Sequence, residues 1–387
     1  MIQTQIAYTS EIDDIEDAVA AIKAQLNLDT GLLTHTIGIL ACHYDFVFSG
    51  AAKAICEALP FDTVGVVTVA QGVPATVDGG FLTLMVLTSD DTTFTAALTP
   101  PLPEDPCAFI EKTYMEAAAK KEGRPALIMP YVPIIVGHIG DDYVNTLSRV
   151  SGGVPTFGTL GIDDTEAVDK GFLLFNGEAY ADRLAMVLVY TETQPKFYRA
   201  SLSPDKIKQI RSVITKSDGN ILMEINGRPV GEFFESIGMH STVNSQYTMV
   251  TLPFILDFND GTPPISRIFI TRTPEGYAVS TGLVPTGATI DVGVFDKEDV
   301  LLTAGDAIKT ILEEAEGRSC VLIYSCMARS FSLGGDPLGE AELVRDMIGD
   351  RIPFMLAYSG GEMCPTEIKA DETINRYHSN TFIACMF

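Results

Sequence analysis

The spacing of apolar residues predicts that helices and short strands alternate along this chain. An apolar stripe at steps of three and four residues predicts one helix near the N-terminus, formed by Ile12, Ile15, Val19, Ile22 and Leu26. Ser10 is suited to cap that helix. Continuous apolar runs then predict buried strands at 36–41, 63–70 and 81–88.

These strands belong to a unit that occurs three times: a buried strand, a polar loop, a short helix, a second strand, a Gly-containing loop and a third strand. In the first copy the helix is predicted at 50–59. The second and third copies are also alike in sequence, because both open with Gly-Arg, end the helix at an apolar-Pro step and continue into a Gly turn with an acid. The residues are Gly123-Arg124, Val154-Pro155 and Gly161 with Asp163 in one copy, and Gly317-Arg318, Ile352-Pro353 and Gly361 with Glu362 in the other. Common ancestry explains the likeness, although unrelated strand–helix units also share such turns.

The polar segment TETQPK separates two sets of these elements. We predict two domains, 1–193 and 197–387, with a linker at about 191–196. The second domain is predicted to begin with a helix from Ser203-Pro204 through Ile214, followed by a hairpin that turns at Asn226-Gly227. Strands that alternate with helices and hairpins are typical of an α/β fold of the mixed α+β kind. We therefore expect two domains of mixed β-sheets covered by helices, built from related strand–loop–helix–strand–strand units.

The charge of the chain disfavours two classes of partner. There are 51 Asp and Glu residues against 26 Lys and Arg, a formal net charge of −25. Nucleic acids and anionic membrane surfaces bind proteins through clustered cations, and the sequence contains no basic stripe. We therefore expect no nucleic-acid partner and no membrane partner, and we attribute the excess acid to solubility.

The cysteines and the N-terminus indicate a cytoplasmic protein. The seven cysteines are odd in number and scattered, without a CxxC pair, so we expect reduced thiols rather than disulfides. The segment MIQTQIAYTSEIDDIEDA lacks the basic and apolar regions of a signal peptide. No uninterrupted apolar run reaches the roughly 18 residues that span a bilayer. Standard cofactor and catalytic motifs (GxGxxG, P-loop, GxSxG, HExxH) are absent, and we expect no cofactor and no metal.

The segment YSCMARS, at the end of a predicted buried strand, carries the most reactive combination of side chains. A Cys326 thiolate beside the Arg329 guanidinium could act as a nucleophile, with His378 as the candidate base nearest in sequence. The alternative is that Cys326 is a packing or ligand-lining residue. Arg329 suits a ligand carboxylate, because its planar guanidinium can bind both oxygens. The competing interpretation is a salt bridge to a carboxylate of the chain: Glu340, Glu342 or Glu362.

Glu362 follows two glycines, Gly360 and Gly361, and we predict that it shares one pocket with Arg329. The preceding strands, 320–325 and 353–358, are parallel if a predicted helix at 339–348 connects them. Parallel strands end at the same sheet edge and lie about 5 Å apart. A carboxylate and a guanidinium in one pocket would bind the two charged ends of an amino acid. The alternative is that they pair with each other and bind nothing.

The C-terminal third resembles the FIST family in four stretches: CVLIYSCMARS, the acidic helix start at 339–342, IPFMLAYSGGEMCP and NRYHSNTF. The N-terminal half resembles it through VPTFGTLGIDD and GFLLFNGEAY, although a Gly-Gly pair is commoner in the family where this chain has Gly-Thr-Leu-Gly-Ile-Asp. The resemblance implies a sensory module for small ligands in signal transduction, with amino acids suggested as ligands. By position it implies ligand-binding roles for Cys326, Arg329, Glu340, Gly361, Glu362 and Asn380, with Asp163 in the N-terminal turn.

Three functions are compatible with these observations. A ligand-binding signalling protein is favoured, and we expect it to act through a signalling partner because the two predicted domains take up the sequence. The first alternative is a metabolite enzyme that uses Cys326 or a carboxylate, so the question of catalysis stays open. The second alternative is a binding scaffold without a small ligand, which a filled interior with a large exposed apolar patch would favour.

Overall fold

A computed structural model describes residues 1–165, 167–239, 252–369 and 372–387. Within these ranges, three six-stranded sheets surround a common core, and a fourth sheet of eight strands forms a lobe of its own. Helices cover the outer faces of the six-stranded sheets. The predicted class, mixed α+β with helix-covered mixed sheets, is confirmed.

Each six-stranded sheet is built on one repeat: a leading strand, a helix, a first core strand, one or two helices, a second core strand, a hairpin and a closing strand. The first repeat consists of β1 (Gln3–Thr9), α1 (Ile15–Gln25), β2 (His35–Cys42), α2 (Asp45–Phe48), α3 (Ala51–Glu57), β3 (Asp62–Val67), β4 (Gln71–Val73), β5 (Thr76–Asp78) and β6 (Leu82–Ser89). The second consists of β7 (Thr93–Leu98), α4 (Cys107–Ala118), β8 (Leu127–Pro133), α5 (Gly140–Ser151), β9 (Gly158–Gly161), β10 (Leu173–Phe175), β11 (Glu178–Tyr180) and β12 (Ala185–Tyr190).

The third repeat is interrupted after its leading strand by the lobe of residues 204–293, called the insertion lobe below. Its elements are β13 (Lys196–Ala200), α7 (Lys297–Glu313), β22 (Val321–Cys326), α8 (Met327–Ser332), α9 (Gly339–Ile348), β23 (Phe354–Ser359), β24 (Glu362–Ile368), β25 (Thr373–His378) and β26 (Phe382–Met386). The insertion lobe contains β14 (Ile207–Asp218), β15 (Ile221–Ile225), β16 (Arg228–Pro229), α6 (Val230–Ser236), β17 (Phe254–Asp257), β18 (Ile265–Arg267), β19 (Phe269–Arg272), β20 (Ala278–Ser280) and β21 (Thr289–Gly293).

The three repeats share one pattern of strand pairing. The two core strands are parallel, the closing strand is antiparallel to the first core strand, and the leading strand is antiparallel to the closing strand. The hairpins are exchanged in a cycle, since β4–β5 joins β23, β10–β11 joins β3, and β24–β25 joins β9. The repeats therefore form a ring with pseudo-threefold symmetry in which each sheet is completed by a neighbouring repeat.

Backbone hydrogen bonds close this ring where the second core strands end. Three equivalent bonds run from Ile162 N–H to the Val67 carbonyl at 3.0 Å, from Val69 N–H to the Tyr358 carbonyl at 3.3 Å, and from Gly360 N–H to the Leu160 carbonyl at 2.9 Å. Buried strand ends must pair their polar backbone groups. The junction therefore fixes the strand-end loops of all three repeats next to one another.

One apolar core lies between the inner faces of the three sheets. It includes side chains from every repeat, among them Ile39, Val66, Met129, Val187, Leu322 and Met355. Burial of each such side chain contributes about 1.5–3 kcal/mol. The hydroxyls of Tyr131 and Tyr324, which lie at equivalent positions of two repeats, are 3.2 Å apart in this core.

The helix predicted from Ser203-Pro204 through Ile214 is wrong. A 3-10 turn at Pro204–Lys206 leads directly into β14. The buried Ser212 and Ile214 alternate with exposed neighbours, which is the period of a strand. Pairing with β15 and β21 on its two sides outweighs the helical spacing of three isoleucines. The N-terminal helix also starts later than predicted, because Asp14 rather than Ser10 caps it.

The predicted linker at 191–196 lies between β12 and β13, which belong to different sheets. The chain segments on either side share two sheets, since β4–β5 pairs with β23 and β24 pairs with β9. This arrangement differs from two self-contained halves, because the hairpin exchange links them. The division into 1–193 and 197–387 stays a prediction about the sequence.

Candidate functional site

Most of the predicted site residues meet where the parallel strands of the third repeat end. β22 and β23 pair in register up to Cys326 and Ser359, and α9 connects them as predicted. Arg329 lies on α8, directly after β22, and Glu340 lies in the first turn of α9. Glu362 begins β24. We call the surroundings of Cys326, Arg329, Glu340, Gly361, Glu362 and Asn380 the third-repeat site.

The Arg329 guanidinium is held by Glu340 in a fully buried ion pair. Both Nε and Nη2 donate to Glu340 Oε1, at 2.8 and 2.6 Å, and both side chains are 0% exposed. Nη2 also donates to the Val300 carbonyl at 3.0 Å, and the Ser325 hydroxyl donates to Glu340 Oε2 at 2.5 Å. The salt bridge to Glu340 that the sequence left as an alternative is therefore present, and the charge of Arg329 is neutralised within the fold.

Glu362 is a buried carboxyl without a countercharge. The Thr381 hydroxyl donates to Oε2 at 2.6 Å and the Ser359 hydroxyl to Oε1 at 3.3 Å. Among the described residues, none places a cationic group within salt-bridge distance of it. Burial raises the pKa of Glu362 to about 8, while the bonds from Thr381 and Ser359 and the nearby charge of Arg329 oppose that rise. Arg329 and Glu362 are thus neighbours, but they do not pair with each other.

The Cys326 thiol has the surroundings of a packed residue. Desolvation is the largest cause of its raised pKa, and Glu362 adds to the rise, whereas backbone N–H groups of Ala328 and Asn380 and the charge of Arg329 oppose it. The Nε2 atom of His378, the candidate base, lies 3.3 Å from the Cys364 carbonyl. Burial and nearby cations hold the pKa of His378 well below its ordinary value. This arrangement does not activate a nucleophile, which requires a lowered thiol pKa or an adjacent base.

Asn380 and Gly361 complete the site with unusual backbone conformations. Asn380 has a φ of 55° and is buried, and neither its Oδ1 nor its Nδ2 has a hydrogen-bond partner in the described part of the chain. Gly361 has a φ of 150°, and a Cβ there would overlap the Tyr377 hydroxyl. Both positions require a residue that tolerates positive φ.

Asp163 serves its own loop rather than the third-repeat site. Its Oδ1 accepts bonds from the Thr165 N–H, at 2.8 Å, and from the Thr165 hydroxyl, and its Oδ2 accepts from Lys170 N–H at 2.6 Å. These bonds occupy both carboxylate oxygens and shape the loop before β10. A ligand-binding role for Asp163 stays a prediction.

Sequence reasoning missed the hydroxyl groups that hold the two buried carboxyls. Ser325, Ser359 and Thr381 all stand at strand ends of the third repeat. The Ser-Asn-Thr run before the closing strand was a detectable signal, because several small polar residues beside a buried strand need internal partners. Their targets could not be inferred, since each bond joins residues from different elements.

A second buried ion pair, also missed, joins the insertion lobe to the ring. Arg267 Nη2 donates to both oxygens of Asp141, at 2.8 and 3.0 Å, and Nη1 donates to the Tyr377 carbonyl at 2.6 Å. Asp141 also accepts from Leu283 N–H at 2.8 Å. Tyr377 in turn lies close enough to Glu362 for that carboxylate to raise its pKa, a smaller cause than burial. The lobe therefore contacts the surroundings of the third-repeat site through Arg267.

In the ranges that the structure describes, no group of three or more His, Cys, Asp or Glu side chains is arranged to hold a metal ion. Of the helices in those ranges, none combines the length and apolar character needed to cross a membrane.

Comparison with known proteins identifies the family. The FIST N domain matches residues 36–228 and the FIST C domain matches residues 233–365, so the boundary between them falls in the insertion lobe. Cyanuric acid hydrolase from A. caulinodans aligns over 100% of this chain and 99% of its own, with 10% identity and a TM-score of 0.39. A second cyanuric acid hydrolase structure aligns over 100% of this chain and 99% of its own, with 6% identity and a TM-score of 0.38. Among curated proteins, none matches the chain. The structural likenesses are too weak to bear on activity, whereas the domain matches cover most of the chain: it belongs to the FIST family, whose N and C domains are sensory domains of signal transduction.

Proposed function

We propose that this protein senses a small metabolite in the third-repeat site and passes its occupancy to a signalling partner. The proposal extends the sensory role of the family to particular residues: Cys326, Arg329, Glu340, Gly361, Glu362 and Asn380. An amino acid is the ligand class suggested by the family resemblance. The partner is a separate protein or a domain that recognises the liganded form.

The observation that supports this proposal is a group of buried polar atoms without partners. Asn380 Oδ1 and Nδ2, Arg329 Nη1 and His378 Nδ1 have no hydrogen-bond partner within the described ranges. Each unpaired buried group costs about 1–3 kcal/mol, and native proteins retain few such groups. A ligand that carries both donors and acceptors would pair with these atoms and recover that free energy.

The insertion lobe contacts residues beside Asn380, so a conformational change at the site can reach the protein surface through the lobe. Beside Asn380, the Ser379 hydroxyl is 2.9 Å from the Thr281 hydroxyl, and Ser379 N–H donates to the Ser266 carbonyl at 3.4 Å. A ligand that reorients Asn380 would alter these contacts and change how the lobe packs. A ligand acts on a conformational equilibrium only through such a difference in contacts between two states.

A thermal-shift screen tests the proposal with four classes of compound: amino acids, simple amines, carboxylic acids and neutral metabolites. A ligand that binds only the native state raises the melting temperature with concentration. Asn380→Gly removes the unpaired amide and keeps the left-handed backbone, so hits should lose their effect in this variant. Asn259→Gly is the matched control, because Asn259 has a φ of 56° and lies exposed in the insertion lobe.

The results of the screen distinguish the sensor proposal, the position of the ligand and the enzyme alternative. A screen in which no class of compound raises the melting temperature overturns the sensor proposal. A shift that persists unchanged in Asn380→Gly assigns the ligand to another part of the molecule. Cys326→Ser should keep the affinity of any hit within about tenfold, because a small polar replacement costs roughly 1 kcal/mol; loss of a measured turnover with the fold intact would support the enzyme alternative instead.

A further inference from the structure

The position of Glu362 has counterparts in the other two repeats, because each exchanged hairpin starts at the same place on the sheet it joins. Glu362 pairs with Thr159, Gln71 with Ala357, and Leu173 with Val66. In each case the partner comes immediately before the residue whose carbonyl accepts the ring-junction hydrogen bond. The three hairpins therefore place a carboxyl, an amide and an aliphatic side chain at one equivalent position.

Gln71 shows that the fold accepts a neutral side chain at this position, with only its Oε1 left without a partner among the described residues. Gln71 is buried, and its Nε2 is 2.6 Å from the Thr68 hydroxyl. Thr68 is the counterpart of Ser359, whose hydroxyl donates to Glu362 at 3.3 Å. Thr381, whose hydroxyl donates to Glu362, stands where the first repeat has Phe81. The Thr381 carbonyl accepts from Cys326 N–H, and the Phe81 carbonyl accepts from His43 N–H, each at 2.9 Å. The carboxyl of Glu362 is thus not required by the repeat.

Within the part of the chain that the structure describes, the charges around Glu362 leave it without a countercharge. Arg329 on α8 is neutralised by Glu340 of α9. Glu362 in turn raises the pKa of two thiols and a phenol: Cys326 at the end of β22, Cys364 on β24 and Tyr377 on β25. His378 of β25 pairs with Glu362 across the hairpin, and burial and nearby arginines hold the pKa of its imidazole well below the ordinary value. A buried carboxylate is stable only with a countercharge or in its neutral form. Since no cation of the described residues pairs with it, Glu362 is either neutral or balanced by a cation that a ligand brings.

We infer that the ligand of the third-repeat site carries an ammonium group and that Glu362 binds it as the carboxylate. This inference rests on the proposed function and names the chemistry of its ligand. The Asn380 amide, with a free donor and a free acceptor, pairs with a neighbouring polar group of the same ligand. The amine is the essential feature, since Glu340 already balances the charge of Arg329, and only the Nη1 of that guanidinium is left without a partner within the described ranges.

The proton balance follows from the two states of Glu362. Without a ligand cation, burial favours the protonated carboxyl, in keeping with its raised pKa. When the ammonium group binds, the carboxyl proton passes to solvent and the carboxylate pairs with the retained N–H bonds of the ammonium. Each binding event therefore releases up to one proton, and affinity for the amine rises with pH until the free amine itself loses its proton.

Isothermal titration calorimetry with the full chain tests this with three matched probes: L-alanine, L-alaninamide, which lacks the carboxylate, and L-lactate, which lacks the amine. We expect L-alanine and L-alaninamide to bind and L-lactate not to bind. Titration at about pH 7 in phosphate and in Tris, whose ionisation enthalpies differ, measures the protons released; we expect close to one for each bound amine.

Glu362→Gln places in the third repeat the amide that the first repeat carries, so it should fold. We expect it to weaken amine binding by at least about tenfold, on the scale of a charged hydrogen bond, and to abolish proton release. Gln71→Leu, which copies the second repeat, is the control and should leave both unchanged. The infrared C=O band of a protonated carboxyl should be present in the wild type, absent in Glu362→Gln, and lost when the amine binds.

The results distinguish this inference from the function on which it rests. Binding of L-lactate but not L-alaninamide, or a screen whose hits all lack a cationic group, overturns the ammonium assignment and leaves the sensor proposal standing. Absence of the protonated-carboxyl band also overturns it. If neither these probes nor any compound of the screen binds, the sensor proposal itself fails.

Discussion

Arg267 of the insertion lobe and Asp141 of the second repeat form a buried ion pair that joins two parts of the molecule far apart in sequence. The guanidinium and the carboxylate are 0% and 3% exposed, with a separation of 2.8 Å. Asp141 lies in the first turn of α5, where a negative charge is favoured by the helix dipole. The pair holds the insertion lobe against the ring beside Tyr377. It should therefore contribute to the stability of the protein and couple the lobe to the third-repeat site.

Asp141→Asn should lower the free energy of unfolding by about 3–5 kcal/mol, because it leaves Arg267 buried without its countercharge. Denaturant titration measures the loss, and hydrogen exchange should show faster opening in β18 and β20. Asp306→Asn is the control, since Asp306 pairs with Lys309 on the surface, where both side chains are at least 60% exposed; it should change stability little. Equal stability of the two variants would contradict the role assigned to the buried pair.

Because Arg329 and Glu340 form a buried ion pair, even a conservative substitution of Arg329 should destabilise the protein. Arg329→Lys keeps the charge but loses the contact of two nitrogens with one carboxylate oxygen, so stability should fall by about 1–3 kcal/mol. In a double-mutant cycle, Arg329→Met and Glu340→Met together should cost less than the sum of the single changes, because the double variant leaves no unpaired charge. Strict additivity in urea unfolding would show that the pair contributes nothing.

The buried Glu362 predicts how stability depends on pH. Burial raises its pKa from 4.5 to about 8, so the native state holds this proton more tightly than the unfolded chain. Its contribution is fully present below about pH 4.5 and is lost as pH rises through about 8. Glu362→Gln should therefore match the wild type in acid and exceed it by a few kcal/mol near pH 8.

Gln71→Glu provides the reciprocal variant, because it places a carboxyl at the equivalent buried position of the first repeat. It should lose stability as pH rises over the same interval. Chemical denaturation at a series of pH values measures both variants. A wild-type and a Glu362→Gln profile that run parallel from acid to about pH 8 would contradict a neutral Glu362.

The cysteines predict a clear order of reactivity. All seven are free, and Cys107 alone among them is half-buried rather than buried. Burial raises the pKa of Cys320 and of Cys364 to about 12, and only a thiolate reacts readily. Alkylation of the native protein should therefore modify Cys107 first, and alkylation after unfolding without reductant should add seven groups. Mass spectrometry that finds fewer than seven would reveal a disulfide.

Gly361 is expected to reject any side chain. A Cβ would overlap the Tyr377 hydroxyl, and a φ of 150° is unfavourable for other residues. Gly361→Ala should therefore destabilise the protein by at least about 1–3 kcal/mol. Gly335→Ala is the control, because a Cβ there would meet no atom within 4 Å. Thermal unfolding of the two variants checks the difference, and equal melting temperatures would contradict this account.

Local pattern was sufficient to predict the repeating unit and part of the candidate site. The apolar runs and their turns predicted the core strands, and the helix between β22 and β23 implied that these strands are parallel and end together. The sequence alone therefore predicts that Cys326, Arg329 and Glu362 lie at one sheet edge. The same spacing rules failed at β14, where three isoleucines suggested a helix but strands on both sides of the segment pair with it.

The sequence by itself determined most of the core strands and helices, and that Cys326 and Arg329 follow one buried strand while Glu362 follows the next, because these features depend on residues close together in the chain. Only the tertiary structure decided which hairpin completes which sheet, that Arg329 pairs with Glu340 rather than Glu362, and that Arg267 pairs with Asp141. Each of these choices joins residues of different elements, and Arg267 and Asp141 are 126 positions apart. Burial sets the free energy of these ion pairs. A charge that water solvates well needs a countercharge once the surrounding sheets exclude solvent.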